Sequence, residues 1–147
     1  MKRRYPDGPV LAVGGIVVKD GCVLLIRRGK EPSYGLWSIP GGAVELGEEL
    51  RAATRREVRE ECGIEIDVTD IVELLERVVR DSDDRIQYHY VLIDYLARWV
   101  SGDPAPSSDV LEVRWVAPDD LSQYQMTRGT ADVIRKMMAA GKQAGVI

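Results

Sequence analysis

The sequence predicts an α/β chain folded as an α/β/α sandwich around a mixed β-sheet, and three observations carry that prediction. Residues 10–18 (VLAVGGIVV) are apolar at odd and even positions alike, as a strand covered on both faces must be. Further strand-like runs surround one long helical stretch that ends before Gly63. The chain then closes on a second amphipathic helix, and such interleaving buries a sheet between helices. With 147 residues, 45% hydrophobic and 30% charged, a single domain over 1–147 is expected. A net charge of -4 argues against a general nucleic-acid-binding surface. Cys22 and Cys62 fit no metal spacing and read as reduced thiols of a cytoplasmic protein. Residues 1–8 (MKRRYPDG) are basic with no apolar run of signal or membrane-spanning type after them, so they are expected to form a loose arm, with no membrane contact.

Each element then follows in order. Asp20-Gly21 is a two-residue hairpin signal between apolar runs, and residues 22–28 (CVLLIRR) form the returning strand. Arg27 and Arg28 at its end serve solubility, and guanidinium forks also suit phosphate oxygens. Residues 29–35 are turn-rich. Pro40 then ends strand hydrogen bonding, and Gly41-Gly42 lets the backbone turn tightly, leaving carbonyls available to a cation. In the helical stretch Gly47 stands at the N-cap position, Glu48 and Glu49 at the positive end of the dipole, and Gly63 at C′. At about 100° per residue, Leu50, Glu57 and Glu61 point within about 20° of one direction, with Ala53 and Thr54 beside them and Glu60 at the edge. Two carboxylates on an apolar face are costly unless something compensates them, and a hard divalent cation held by oxygens does so. On the residues alone the helix reads equally as a solvated surface element, with Arg51, Arg55, Arg56 and Arg59 pairing its acids.

Residues 64–80 read as a strand bent near Asp70, 81–84 as a turn, and 85–100 (RIQYHYVLIDYLARWV) as a long strand central to the sheet. His89, between Tyr88 and Tyr90, is assigned to structure. Residues 101–109 form a loop long enough to reach over a site, and 110–116 return as a strand. Pro118 opens a short helix to about Tyr124. The final helix is capped by Thr130, with Ala131, Ile134, Met137 and Met138 as its packing stripe through Ala140 before Gly141.

Residues 42–64 (GAVELGEELRAATRREVREECGI) carry a specific pattern. Gly42 is followed after five residues by Glu48, and after seven more by Arg56-Glu57-Val58-Arg59-Glu60-Glu61-Cys62-Gly63-Ile64. This resembles the Nudix box at every specified position, and the likeness extends over residues 8–140. The resemblance implies the Nudix fold and Mg²⁺ as cofactor, with Mn²⁺ as substitute, held by Glu57, Glu60, Glu61 and the carbonyl of Gly41. It implies that Arg56 and Glu48 form an ion pair fixing helix to loop. It makes Arg28, then Arg27, the contacts to substrate phosphate, and Asp109 or Glu112 a further acidic group as ligand or base. The implied reaction is hydrolysis of the diphosphate bond in a nucleoside diphosphate linked to another moiety, with ADP-ribose or a related nucleotide sugar first. Nucleoside triphosphates come next. A non-catalytic nucleotide sensor is the remaining alternative, although such domains lose box carboxylates that this chain keeps. About sixteen residues past the box stand Arg80, Asp81 and Ser82, without the Pro of ADP-ribose enzymes or the Tyr of dinucleoside polyphosphate enzymes. A nucleotide derivative is the implied partner, and a homodimer is left open.

Overall fold

A computed structural model of the chain describes residues 2–143. Seven strands form one sheet: β1 (Val10–Lys19), β2 (Cys22–Arg28), β3 (Trp37–Ser38), β4 (Gly41–Ala43), β5 (Glu65–Arg80), β6 (Ile86–Ser101) and β7 (Val110–Val116). The order is β3-β2-β1-β6-β5, with β4 paired to β1 and β7 to β2. Among the paired strands of the described residues only β1 and β6 run parallel, from Val10 opposite Tyr90 to Val18 opposite Arg98, so the sheet is mixed and β6 lies inside it. The sandwich is completed by α1 (Leu50–Cys62) on one face and α2 (Thr130–Gln143) on the other.

The two-sided burial of β1 explains its uninterrupted hydrophobicity. Val13 and Val17 pack toward α1 with Val58 and Cys62, whereas Ile16 and Val18 pack toward α2 with Ile134 and Met137. Successive strand residues face opposite sides, so both faces need apolar side chains. Asp20 and Gly21 take φ of 50° and 77°, as a two-residue turn between Lys19 and its partner Cys22 requires. The ladder of β5 with β6 shifts register between Val68 and Ile71 and again before Glu73, which is the bend expected near Asp70.

Three boundaries differ from expectation. Helix α1 starts at Leu50 with Glu49 as its N-cap, and Gly47 instead holds φ 83° in a turn closed by Glu48 N–H to Glu45 O at 3.0 Å. The positive φ excludes Gly47 from the extended backbone an N-cap needs. Helix α2 continues past Gly141, where its end was expected, and its stripe buries Ile134, Met137 and Met138 together with Val133; Ala140 lies outside the described side chains. Residues 2–8 are in neither helix nor strand, yet Tyr5 is pinned. Its N–H donates to Gln87 O at 2.7 Å and its hydroxyl to Asp81 Oδ2 at 2.7 Å, while the Arg85 guanidinium lies 5.1 Å from its ring centroid. An amphipathic ring with a carboxylate for its tip anchors a short segment well.

Candidate active site

Arg56, Glu57 and Glu61 of α1 reach β4, and the glycines of β4 make that approach feasible. A Cβ on Gly42 would fall 2.5 Å from the Glu57 carboxyl, so only glycine leaves the carboxylate lodged where it is. Gly41 donates its N–H to Glu61 Oε1 at 2.7 Å. The β1 ladder bonds pass on either side of Gly41, with Gly15 N–H to Pro40 O at 2.9 Å. Since the N–H and C=O of an extended residue point the same way, the Gly41 carbonyl also faces the helix side. The carboxyls of Glu57 and Glu61 thus both reach the Gly41-Gly42 segment.

Behind them Arg56 is the hub of a dense ion network. Its Nε and Nη2 donate to the two oxygens of Glu48 at 2.7 and 2.9 Å, its Nη1 to Glu57 at 2.9 Å and to Glu60 at 3.2 Å, and Nη2 also to Ala43 O at 3.0 Å. The bidentate pair holds the Glu48 carboxyl down to about 2 and pushes the Arg56 guanidinium further up. Glu61 goes the other way. Burial raises it to about 7, against the opposing Gly41 N–H, and the neighbouring Glu57 adds to the rise.

These residues open onto a cavity of about 1090 Å³ that runs past β4 onto the α2-facing side of β1, β6 and β5. Arg28 lines it beside Glu61, held by Nε to Pro32 O at 2.7 Å, and burial lowers its pKa while Glu61 opposes the fall. Asp109 lines it too, 3.5 Å from Lys30 Nζ, with its carbonyl accepting from Gly29 N–H. Ala105 and Ser107 donate N–H groups to Cys62 and Glu61 carbonyls, so the 102–109 loop closes the C-terminal turn of α1.

Arg27 and Glu112 are not brought to this cavity. They pair with each other at 3.9 Å across β2 and β7 and line a separate depression with Trp37, Arg114 and Tyr124. The reason is the strand period, which sends adjacent Arg27 and Arg28 to opposite faces. A buried acid of the cavity escaped the sequence reading. Asp94 on β6 is buried opposite Gly14, where a Cβ would come 2.6 Å from its Oδ1, and burial lifts its carboxyl to about 6, with Glu73 contributing. An acid within an otherwise apolar strand is the signal that could have found it.

The donor set of Glu57, Glu60, Glu61 and the Gly41 carbonyl is all oxygen, the chemistry a hard divalent cation takes. Among the described residues no three acidic, His or Cys side chains are grouped so as to hold a metal ion; Glu57 accepts from Arg56 and Glu61 from the Gly41 N–H instead. The fit therefore rests on the cradle that Gly42 opens for Glu57 and on a Glu61 carboxyl whose burial calls for positive charge.

Carboxylates are thus crowded on one wall of a cavity that guanidinium groups also line. The chain belongs to the NUDIX domain family, whose model matches residues 8–137. It is 32% identical over 107 residues to an ADP-ribose pyrophosphatase of Methanocaldococcus jannaschii, a match covering 73% of this chain but only 61% of that protein. It is 28% identical over 131 residues to the nucleoside triphosphatase NudI of Salmonella arizonae, covering 82% of this chain and 90% of that protein. The fold superposes on a MutT NUDIX hydrolase from Burkholderia pseudomallei with a TM-score of 0.77 at 30% identity, covering 88% of this chain and 98% of that one. No helix among the described residues is long and apolar enough to cross a membrane.

Proposed function

We propose that this protein hydrolyses the diphosphate bond of a nucleoside diphosphate linked to another moiety, ADP-ribose or a related nucleotide sugar first, in a reaction that requires Mg²⁺ or Mn²⁺. Glu57, Glu60, Glu61 and the Gly41 carbonyl would hold the cation. When bound, it neutralises charge developing on phosphate oxygens and lowers the pKa of the attacking water. The residues of the chain supply the rest. The Arg56–Glu48 pair fixes the carboxylate wall to the loop, Arg28 receives a phosphate oxygen, and a carboxylate of the wall accepts the proton of the water.

The observation that carries this reading is the shape of the site: the carboxylates stand at one end of a cavity that continues along β6 from Asp94 to Tyr88. The six residue steps of strand span about 20 Å, room for a nucleoside beyond a diphosphate held at the carboxylates. The name of the M. jannaschii relative supports the same substrate. A nucleoside triphosphate is the second reading, favoured by the name of the NudI relative, whose match covers most of both chains. A panel of ADP-ribose, nucleotide sugars and nucleoside triphosphates, followed by chromatography of the products with and without Mg²⁺, decides between them. Faster release of a nucleoside monophosphate from ADP-ribose than from any triphosphate supports the first reading, and the reverse order overturns it.

A further inference from the structure

The end of the cavity remote from the carboxylates has a composition that the reaction itself does not explain. Tyr88, Tyr90, Leu92 and Asp94 alternate along β6 and so share the face that carries Leu96 toward α2. The rings of Tyr88 and Tyr90 are nearly parallel, 13° apart in plane with centroids 6.2 Å apart, and both line the cavity. On the neighbouring strand Arg77 is the register partner of Tyr90 and also lines the cavity.

The N-terminal arm completes this end. Because Tyr5 is fixed to Gln87 and Asp81, Arg3 and Arg4 are brought to the cavity. Arg3 lies near enough for its charge to act on both Tyr90 and Arg28. Neither Arg3 nor Arg77 has a carboxylate partner among the described residues, in a chain whose net charge is -4. Arg77 donates its Nη2 to Arg128 O at 2.7 Å. Guanidinium groups without a carboxylate, lining one cavity with aromatic rings, suit a planar ring, since both stack on π surfaces.

We propose that Tyr90 and Arg3 form a ring-binding subsite for the nucleobase of the substrate, and that the N-terminal arm is thereby a specificity-determining element of the cavity. This rests on the reading of the cavity as a nucleotide site. The tyrosine faces supply area for the base, Arg3 covers it from the arm, and Arg77 fixes the edge of the platform. Small side chains on β1, Ala12 and Gly14, leave the space between this end and the carboxylates open.

The test uses the full chain in excess chelator, with AMP and ribose 5-phosphate as probes, which differ by the base. Binding is followed by calorimetry or by nuclear magnetic resonance titration. Wild type binds AMP at least about tenfold more tightly than ribose 5-phosphate, the size of one stacked base. Tyr90→Ala abolishes most of that preference and Arg3→Ala reduces it by about threefold, while affinity for ribose 5-phosphate stays within about twofold of wild type. Arg3 is exposed, so its variant keeps the test valid even if Tyr90→Ala fails to fold. Equal affinity of wild type for the two probes, or a preference for AMP that survives Arg3→Ala unchanged, overturns the proposal. An AMP preference in a protein that hydrolyses no member of the substrate panel would leave this subsite standing and remove the hydrolytic reading. Hydrolysis without the preference would do the opposite.

Discussion

Helix α1 and the loop before it carry two groups of carboxylates that the fold treats in opposite ways. Glu48 is met by both arms of Arg56, and its pKa falls to about 2. Glu61, in the last turn of the helix on the cavity side, receives one backbone N–H and is pushed up to about 7 by burial. The first acid is satisfied by the protein and holds the loop to the helix. The second is compensated only in part, and the cation proposed above would complete that compensation. The same sequence motif thus divides into a part that stabilises the fold and a part whose burial costs stability.

The largest expected effect comes from taking away the positive charge that the wall calls for. Excess chelator should lower hydrolysis by at least about 10³-fold, measured by phosphate release after phosphatase coupling, and full turnover in chelator would erase the distinction drawn above. Next is Gly42→Ala, which must displace the Glu57 carboxyl. Because that carboxyl is the far end of a flexible side chain, stability should change by less than about 1 kcal/mol while kcat falls about 10- to 100-fold. An unchanged kcat would mean that the position of Glu57 is irrelevant to turnover.

Two smaller effects sharpen the contrast between the faces of β2. Arg28→Ala should raise KM about tenfold with little loss of kcat, as removal of one charge-assisted phosphate contact does. Arg27→Ala and Glu112→Gln, which lie together in the other depression, should leave KM and kcat within about twofold of wild type. Steady-state kinetics on the best substrate of the panel reads all three, and equal effects of Arg27→Ala and Arg28→Ala would contradict their separation.

What the sequence made legible was what is local. The box, its helix, the Asp20-Gly21 turn and the bend of β5 are each set by residues close in the chain, and the structure forms all of them. The α/β/α class follows from the two-sided burial of β1. Less legible was anything set by distant pairing. The parallel register of β1 on β6 places Gly14 opposite Asp94, and no local pattern links residues so far apart. The docking of Tyr5 on Asp81 likewise depends on a partner 76 positions away. The split of Arg27 from Arg28 is a different case, since the period of two along a strand already assigns them to opposite faces. The N-terminus of α1 was misplaced because Gly47 is needed for a positive-φ turn, and Glu48 is needed by Arg56 rather than by the helix dipole.

The measurement that bears most directly on the division within α1 is a set of thermal melts of wild type and Glu61→Gln in chelator, from about pH 5 to about pH 8, repeated with Mg²⁺. The sign follows from linkage. A carboxyl whose folded pKa stands near 7, above its ordinary 4.5, contributes most to stability below the ordinary value and loses that contribution as pH rises through about 7. Asp94 adds a similar slope through about 6 in both proteins, so the difference between them isolates residue 61. Metal-free wild type should lose stability as pH rises, and the variant should lose less, so that at about pH 8 the variant melts at or above wild type. Mg²⁺ should then raise the Tm of wild type by more than that of the variant, whose hydrolysis is nearly abolished. A variant that melts well below wild type without metal, or that gains as much from Mg²⁺, would show Glu61 to be a structural residue and would contradict the account.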